Sequence, residues 1–448
     1  MNQQPAADQP DDMTAMNAKD KLMNTDESKQ TSPETQVSTV GRGGPQDRGG
    51  GGPLPAPRGA ITREGLLPGY GRSTPSPMEC PCDIDAAVRE FGNGPLTIAE
   101  AQRLFAPGSG RYLDTATCGL PSYPTIMTMS KGLMDWLNGK ATPQGYHQAV
   151  TEARGTFGRL VQVPVSHVAV RATTAEFVTV IADAVKKGTT VLISEKEFTS
   201  AWGPFSVRHE QGHYRVRFVP LDRLAEEVTD DVSLVVASAA QSIDGTVADL
   251  NAIEDAAKEH GAWTMIDATQ SIGWQPLNAN HYTFVICHSY KFLGVHRGAT
   301  FMAISPDMAR KLPAIGANWY SGEDIWNSLY GPSLTLANDA RRHDASPAWL
   351  SWLGAVPALK LIEQVGVEAI NRHDVSLANA FREGMGIPIP WVASPIVSVR
   401  GIPDAEQRLD GQGLRASVRG DGVRLAFHLY NDQEDVQKAL RALGSRQA

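Results

Sequence analysis

Polar and small residues run from Met1 to about Pro77 without an apolar period, through Gly41-Arg42-Gly43-Gly44 and Arg48-Gly49-Gly50-Gly51-Gly52-Pro53. Such a stretch cannot bury enough apolar surface to offset the entropy of ordering, so residues 1–80 are expected to form a disordered extension. Helical spacing starts near Asp83, where Ile84, Ala87, Val88 and Phe91 recur on one face. Beyond Tyr112, helical periods alternate with short, wholly apolar runs. Thr174 to Lys187 and Ala248 to His260 predict helices. Thr190 to Ser194, Tyr214 to Val219, Ser233 to Ala237, the runs ending at Asp267 and near His288, and Ala299 to Ile304 predict buried strands. Strands apolar on both faces, separated by helices, predict a mostly parallel sheet covered on both sides, an α/β class. Later the pattern changes. Helical stretches over Trp349 to Val365, Asp374 to Glu383 and Gln433 to Leu443 flank short strands at Ile396 to Val399 and Val423 to Phe427, which predicts a smaller α+β domain. The expected organisation is an extension (1–80), a segment packing with the small domain (81–125), a large domain (126–335) and a small domain (336–448).

The 448 residues are 42% hydrophobic and 20% charged, the balance of a globular chain with a sizeable core. A formal net charge of -8 offers no basic footprint for nucleic acid, and no apolar run is long enough to span a bilayer, so neither nucleic acid nor a membrane is an expected partner. The Arg-Gly clusters of the extension come with almost no aromatics, which favours a passive linker over a nucleic-acid-binding box. Cys80, Cys82, Cys118 and Cys287 form neither a disulfide framework nor a zinc spacing. No metal is expected. Sparse cysteines suit a reducing cytoplasm, and the N-terminus lacks the basic-then-apolar order of an export signal.

Candidate chemistry gathers at the ends of two strands. Asp267 closes Trp263-Thr264-Met265-Ile266-Asp267, and Lys291 follows Phe284-Val285-Ile286-Cys287-His288-Ser289-Tyr290. A loop, a strand and a turn separate them, so both can reach one sheet edge and hold a small aromatic cofactor between them. Pyridoxal phosphate needs such a pair: an amine for its aldehyde, and a carboxylate to keep its pyridine nitrogen protonated. Gln270, just past Asp267, brings an amide toward the cofactor's phenolic oxygen. Arg171-Ala172-Thr173-Thr174-Ala175-Glu176 places two hydroxyls and several N–H groups at a helix start, either as a plain Thr cap or as a phosphate cradle. The order relative to Asp267 and Lys291 favours the cradle.

With these segments the chain resembles the fold-type I pyridoxal-phosphate enzymes, in the class V aminotransferase branch that holds cysteine desulfurases, C–S lyases, kynureninase-like hydrolases and isopenicillin N epimerase-like proteins. The matching segments are Leu113-Asp114-Thr115-Ala116, Arg171-Ala172-Thr173-Thr174, Asp267-Ala268-Thr269-Gln270, His288-Ser289-Tyr290-Lys291, and Arg424 through Tyr430-Asn431. The resemblance implies a large domain with a mostly parallel seven-stranded sheet, a smaller C-terminal domain, pyridoxal phosphate as cofactor and Lys291 as the catalytic amine. It places Thr173, Thr174, Phe198, Ser242, Asp267, Gln270, His288 and Tyr290 around the cofactor, and a substrate carboxylate on Arg419 or Arg424. Ser346, in Ser346-Pro347, stands at the turn that in relatives contacts the phosphate across a dimer interface, so a homodimer with active sites at the interface is expected.

Three departures shape the expected reaction. Phe198 stands where the family usually stacks a His on the cofactor, and a phenyl ring stacks without moving protons. His288 and Tyr290 occupy the places of Ser and His in the usual Ser-x-His-Lys. No Cys follows Cys287, so the small-domain thiol on which desulfurases form a persulfide is missing. The expected activity is β-elimination of a cysteine S-conjugate to a thiol, pyruvate and ammonia, in secondary metabolism such as antibiotic biosynthesis. The alternatives are decarboxylation coupled to deamination, transamination, epimerisation, or a non-catalytic binding protein on the same fold.

Overall fold

The structure is a computed structural model that describes residues 94–419 and 422–444 together with Gly92. The extension, the helical period near Asp83, Cys80 and Cys82 lie outside the described residues. At the centre is a seven-stranded sheet built from β1 (Val168–Arg171), β2 (Thr190–Ser194), β3 (Arg215–Val219), β4 (Val232–Ser238), β5 (Trp263–Asp267), β6 (Phe284–His288) and β7 (Thr300–Ala303). Its order is β1-β7-β6-β5-β4-β2-β3. Strands β2 to β6 are parallel, and β7 runs against both neighbours, β6 and β1. The sheet is thus mostly parallel, as the apolar runs imply. Strand β1 falls outside the expected runs, because its four residues stand between Pro164-Val165-Ser166 and Ala172-Thr173 and leave little apolar pattern to read.

The strands are apolar throughout because both faces are covered. Met265, Phe284 and Ile286 point into one core cluster, while Ile266, Val285 and Cys287 point into the other, the alternation that a pleated strand imposes. Helices α1 (Tyr123–Leu137) and α2 (Pro143–Leu160) pack with the later helix Trp349–Val365. Trp352 of that helix meets Phe301 of β7 edge-on at 5.1 Å, and Phe301 stacks on Phe157 at 4.3 Å. Gly366, at φ +85°, ends that helix and opens the next, which runs Val367–Met385 and so begins well before the expected Asp374.

A second, three-stranded antiparallel sheet has the order β8 (Ile396–Arg400), β10 (Gly422–Ala426), β9 (Ser417–Arg419). Helices Val367–Met385 and Gln433–Leu443 close it through Leu377, Phe381, Val397, Leu425, Val436 and Leu440. The segment after Tyr112 joins this sheet: Leu113 N donates to Arg415 O at 2.7 Å, and Ala426 N donates to Leu113 O at 2.8 Å. Among the described residues, no helix is long and apolar enough to cross a membrane.

Candidate active site

In a parallel sheet the loops that leave the carboxyl ends of the strands share one edge, and here that edge carries the chemistry. Thr173 and Thr174 follow β1, Glu197 and Phe198 follow β2, Ser242 follows β4, Asp267 ends β5, and Lys291 follows β6. Thr173, Thr174, Phe198, Ser242, Asp267, Gln270, His288, Tyr290 and Lys291 line one cavity of about 180 Å³. A second cavity of about 240 Å³, lined by Lys196, Ile243, Ser398, Arg400 and Arg424, shares Phe198 and Ser242 with the first. A larger cleft of about 930 Å³ lies between Asp244–Asn251 and Arg382–Val392, but no lysine lines it.

Local bonding fixes each group. Asp267 Oδ1 accepts from Thr269 N at 2.9 Å, and Thr269 Oγ1 accepts from His288 N at 3.1 Å, so the ends of β5 and β6 are tied together beside the carboxylate. Lys291 is 5% exposed, with Nζ 5.6 Å from the Phe198 ring centre. Its turn is held from outside: Gly119 N donates to Tyr290 O at 2.9 Å, and a Cβ at Gly119 would come within 1.9 Å of Lys291 O. Only glycine allows that approach. Phe198 hangs from a turn in which Lys196 takes φ +65°, a strained conformation for a residue with a side chain. The turn is anchored by Glu197, a buried carboxylate that accepts from Ser194 Oγ, Ser238 Oγ and, at 2.9 Å, Ser238 N. Burial raises the Glu197 pKa, an effect that the serine donors partly offset.

Gln270 is held through its amide nitrogen. Its Nε2 donates to Ala116 O at 2.9 Å and to Ser242 Oγ at 2.8 Å, which leaves Oε1 buried with no partner. His288 is pushed down to about 3 by burial first and then by Arg297 and Lys291, so it stays neutral at ordinary pH. Tyr290 is raised by burial, and Arg297 lies over its ring at 4.5 Å.

Of the two arginine candidates, only Arg424 has a described side chain. Arg424 is 1% exposed; its guanidinium donates to Ser242 O, to Ser242 Oγ at 3.1 Å and to Thr117 Oγ1 at 2.7 Å, and lies 3.6 Å from Asp114. Arg419 closes β9, and its side chain lies outside the described residues. Ser346 is exposed and does not line the cavity. Its turn is moored by Asp344, which bonds Val170 N at 2.7 Å and forms a buried fork with Arg154 at 2.6 Å and 3.2 Å. Burial pushes the Cys287 thiol well up and the Cys118 thiol up, so neither is a ready thiolate. Among the described residues, no cluster of His, Cys, Asp and Glu could hold a metal.

Sequence reasoning did not single out Arg297, Gly119, Glu197, Ser238 or Thr269 as parts of this site. For Arg297 a signal exists in Gly294 and Gly298, which bracket a tight loop just after Lys291 and take φ of +62° and +107°. An amine, a carboxylate, an aromatic wall, a ring of hydroxyls and a cation in one cavity are the donor set that pyridoxal phosphate requires.

The family model described as aminotransferase class-V matches residues 113–387. An uncharacterized aminotransferase of Bacillus subtilis is 24% identical over 240 residues, covering 51% of this chain and 63% of its own. A probable cysteine desulfurase of Mycobacterium leprae is 26% identical over 260 residues, covering 50% of this chain and 60% of its own. The chain thus spans about three fifths of the length of these curated relatives. Among solved structures, the cysteine desulfurase of Thermococcus onnurineus has a TM-score of 0.65 at 20% identity, over 73% of this chain and 92% of its own. The cystine C–S lyase C-DES, solved with its reaction product cysteine persulfide, has a TM-score of 0.67 at 16% identity, over 75% of this chain and 98% of its own. At these identities the two structures support the fold.

Proposed function

Because this chain belongs to the class V aminotransferase family, we propose that it is a pyridoxal-phosphate enzyme that cleaves the C–S bond of a cysteine S-conjugate. The observation that carries the reading is the single cavity joining Lys291 and Asp267 beneath Phe198, in a chain with no cysteine after Cys287. When bound, the cofactor supplies an electron sink for the pair left behind as the Cα proton departs.

The chain's own groups do the rest. Lys291 Nζ takes the Cα proton and, as an ammonium, returns it to the departing sulfur. Asp267, fixed by Thr269, would hold the proton on the ring nitrogen of a bound cofactor, and Thr174, His288 and Tyr290 would hold its phosphate. Arg424 presents its guanidinium fork to the substrate carboxylate, oriented through Ser242 and Thr117. Phe198 walls the ring without offering a proton, which favours elimination over repeated proton shuttling. In the net reaction the Cα–H and Cβ–S bonds break, water is consumed, and a thiol, pyruvate and ammonia leave. The cystine C–S lyase among the structural relatives supports this choice of bond. The curated name of the Bacillus subtilis relative favours a second reading, transamination at the same lysine.

Purified, cofactor-loaded protein incubated with S-substituted cysteines should release thiol and pyruvate in equal amounts. Neither product from any conjugate would reject the elimination, and consumption of a keto acid instead would establish the second reading. The exposed Ser346 turn is the surface on which we place a second copy, as a homodimer. The setting we propose is secondary metabolism in a reducing cytoplasm.

A further inference from the structure

An anion held at the first turn of a helix needs N–H groups with no other acceptor. Just ahead of the helix Thr174–Ala184 part of such a supply is taken up, at the cap and the residue before it: Glu176 Oε2 accepts from Ala172 N at 3.0 Å, Thr173 N at 2.7 Å and Thr173 Oγ1 at 3.2 Å. The same carboxylate adds a negative charge to the turn that a phosphate dianion would approach. Arg171 does not come forward to offset it. Its guanidinium donates backward to His343 O at 2.7 Å and Ile315 O at 2.6 Å, beside the Phe177 ring.

A cation does line the cavity. Arg297 shares it with Thr173, Thr174, Ala175 and Lys291, and lies over the Tyr290 ring. Among the described residues it forms no ion pair. Its backbone is held rigidly: Ser351 Oγ donates to Arg297 O at 2.6 Å, and a Cβ at the following Gly298 would come within 3.1 Å of both Ala348 and Ser351. A loop so clamped, bearing an unpaired charge above an aromatic ring, is pre-organised for an anion.

We propose that Arg297 binds the phosphate of the cofactor, replacing with side-chain charge the backbone donors that Glu176 occupies. The proposal rests on the pyridoxal-phosphate reading above and deepens it. Tyr290, edge-on to His288 at 4.5 Å, is the platform on which the guanidinium lies, so it acts as a positioning residue for Arg297.

The test is a binding measurement that needs no turnover. Apoprotein, stripped with hydroxylamine, is titrated by absorbance and equilibrium dialysis with pyridoxal phosphate and with pyridoxal, which lacks the phosphate. The unmodified protein should prefer the phosphorylated form. In Arg297→Gln that preference should fall by about tenfold or more while pyridoxal binding is unchanged, the loss of one charge-assisted contact. Arg297→Lys should keep part of it. Glu176→Gln should strengthen binding of the phosphorylated form alone. An unchanged preference in Arg297→Gln would overturn the proposal, as would a defect confined to a raised KM for substrate, which would assign Arg297 to a substrate anion. If the unmodified protein binds neither form, the cofactor reading falls as well, an outcome distinct from both.

Discussion

Lys291 depends on a residue with no side chain. The carbonyl of Lys291 occupies the space that any Cβ at position 119 would need. Gly119→Ala should therefore displace the lysine turn and destabilise the protein by about 1–3 kcal/mol, the usual cost of overpacking. A lower Tm with reduced incorporation of cofactor at Lys291, read by mass after borohydride reduction, is the expected result. Full incorporation at wild-type Tm would show that the contact is not needed. Glu197 makes a parallel case one strand away. Glu197→Ala strips the partner from the Ser238 N–H and from two serine hydroxyls, at about 1–3 kcal/mol for each buried donor left without a partner. It also releases the turn that carries Phe198, whereas Glu197→Gln keeps an acceptor and should lose less. Denaturant midpoints of the two variants, read beside the parent, decide between them.

Asp344 joins three separate elements. It ties the Arg154 guanidinium on α2 and the Val170 N–H on β1 to the loop that leads to Ser346. Removal of one partner leaves a buried charge uncompensated, so Asp344→Ala should cost about 3–5 kcal/mol, measured as a loss of unfolding free energy in urea. A value near zero would mean that the fork is not formed. At this scale the sequence was legible where a pattern is local. The wholly apolar runs at β4, β5 and β6, and the helices Trp349–Val365 and Gln433–Leu443, could be read directly, as could the order of Thr174 at a helix start and of Asp267 and Lys291 at or just past strand ends. Strand β1 was too short to carry a period. Glu197 and Gly119 were not legible because their roles arise through space: one is buried behind a turn, one meets a distant carbonyl; for Arg297 the bracketing Gly294 and Gly298 mark a tight loop, but not that its side chain lies over a ring. Glu176 could be read as part of a helix start, but not as a competitor for the donors assigned to phosphate.

For the molecule as a whole, two buried histidines contribute to the response to acid. Burial pushes His288 down to about 3 and His343 down to about 4, from a usual value near 6.5. Well above pH 6.5 both are neutral, folded or unfolded, and contribute no pH dependence. Below it the unfolded chain takes up protons that the folded chain refuses until the lower values are reached, so stability is lost as pH falls across that window. Thermal melts from pH 7 to 4 should show this decline, and His343→Gln should flatten part of it; an equally steep decline in the variant would assign the acid limb elsewhere. Light scattering tests the homodimer, with a mass near 48.2 kDa the result that would refute it. The strip from Leu113 to Gly119 has a mechanical consequence of its own. One end is stitched into the three-stranded sheet beside Ala426 and the other is hooked on the Tyr290 carbonyl. A tilt of the C-terminal sheet, such as a substrate pulling on Arg424 would cause, would be relayed along this tether to the peptide of Lys291, bypassing the two hydrophobic layers of the seven-stranded sheet.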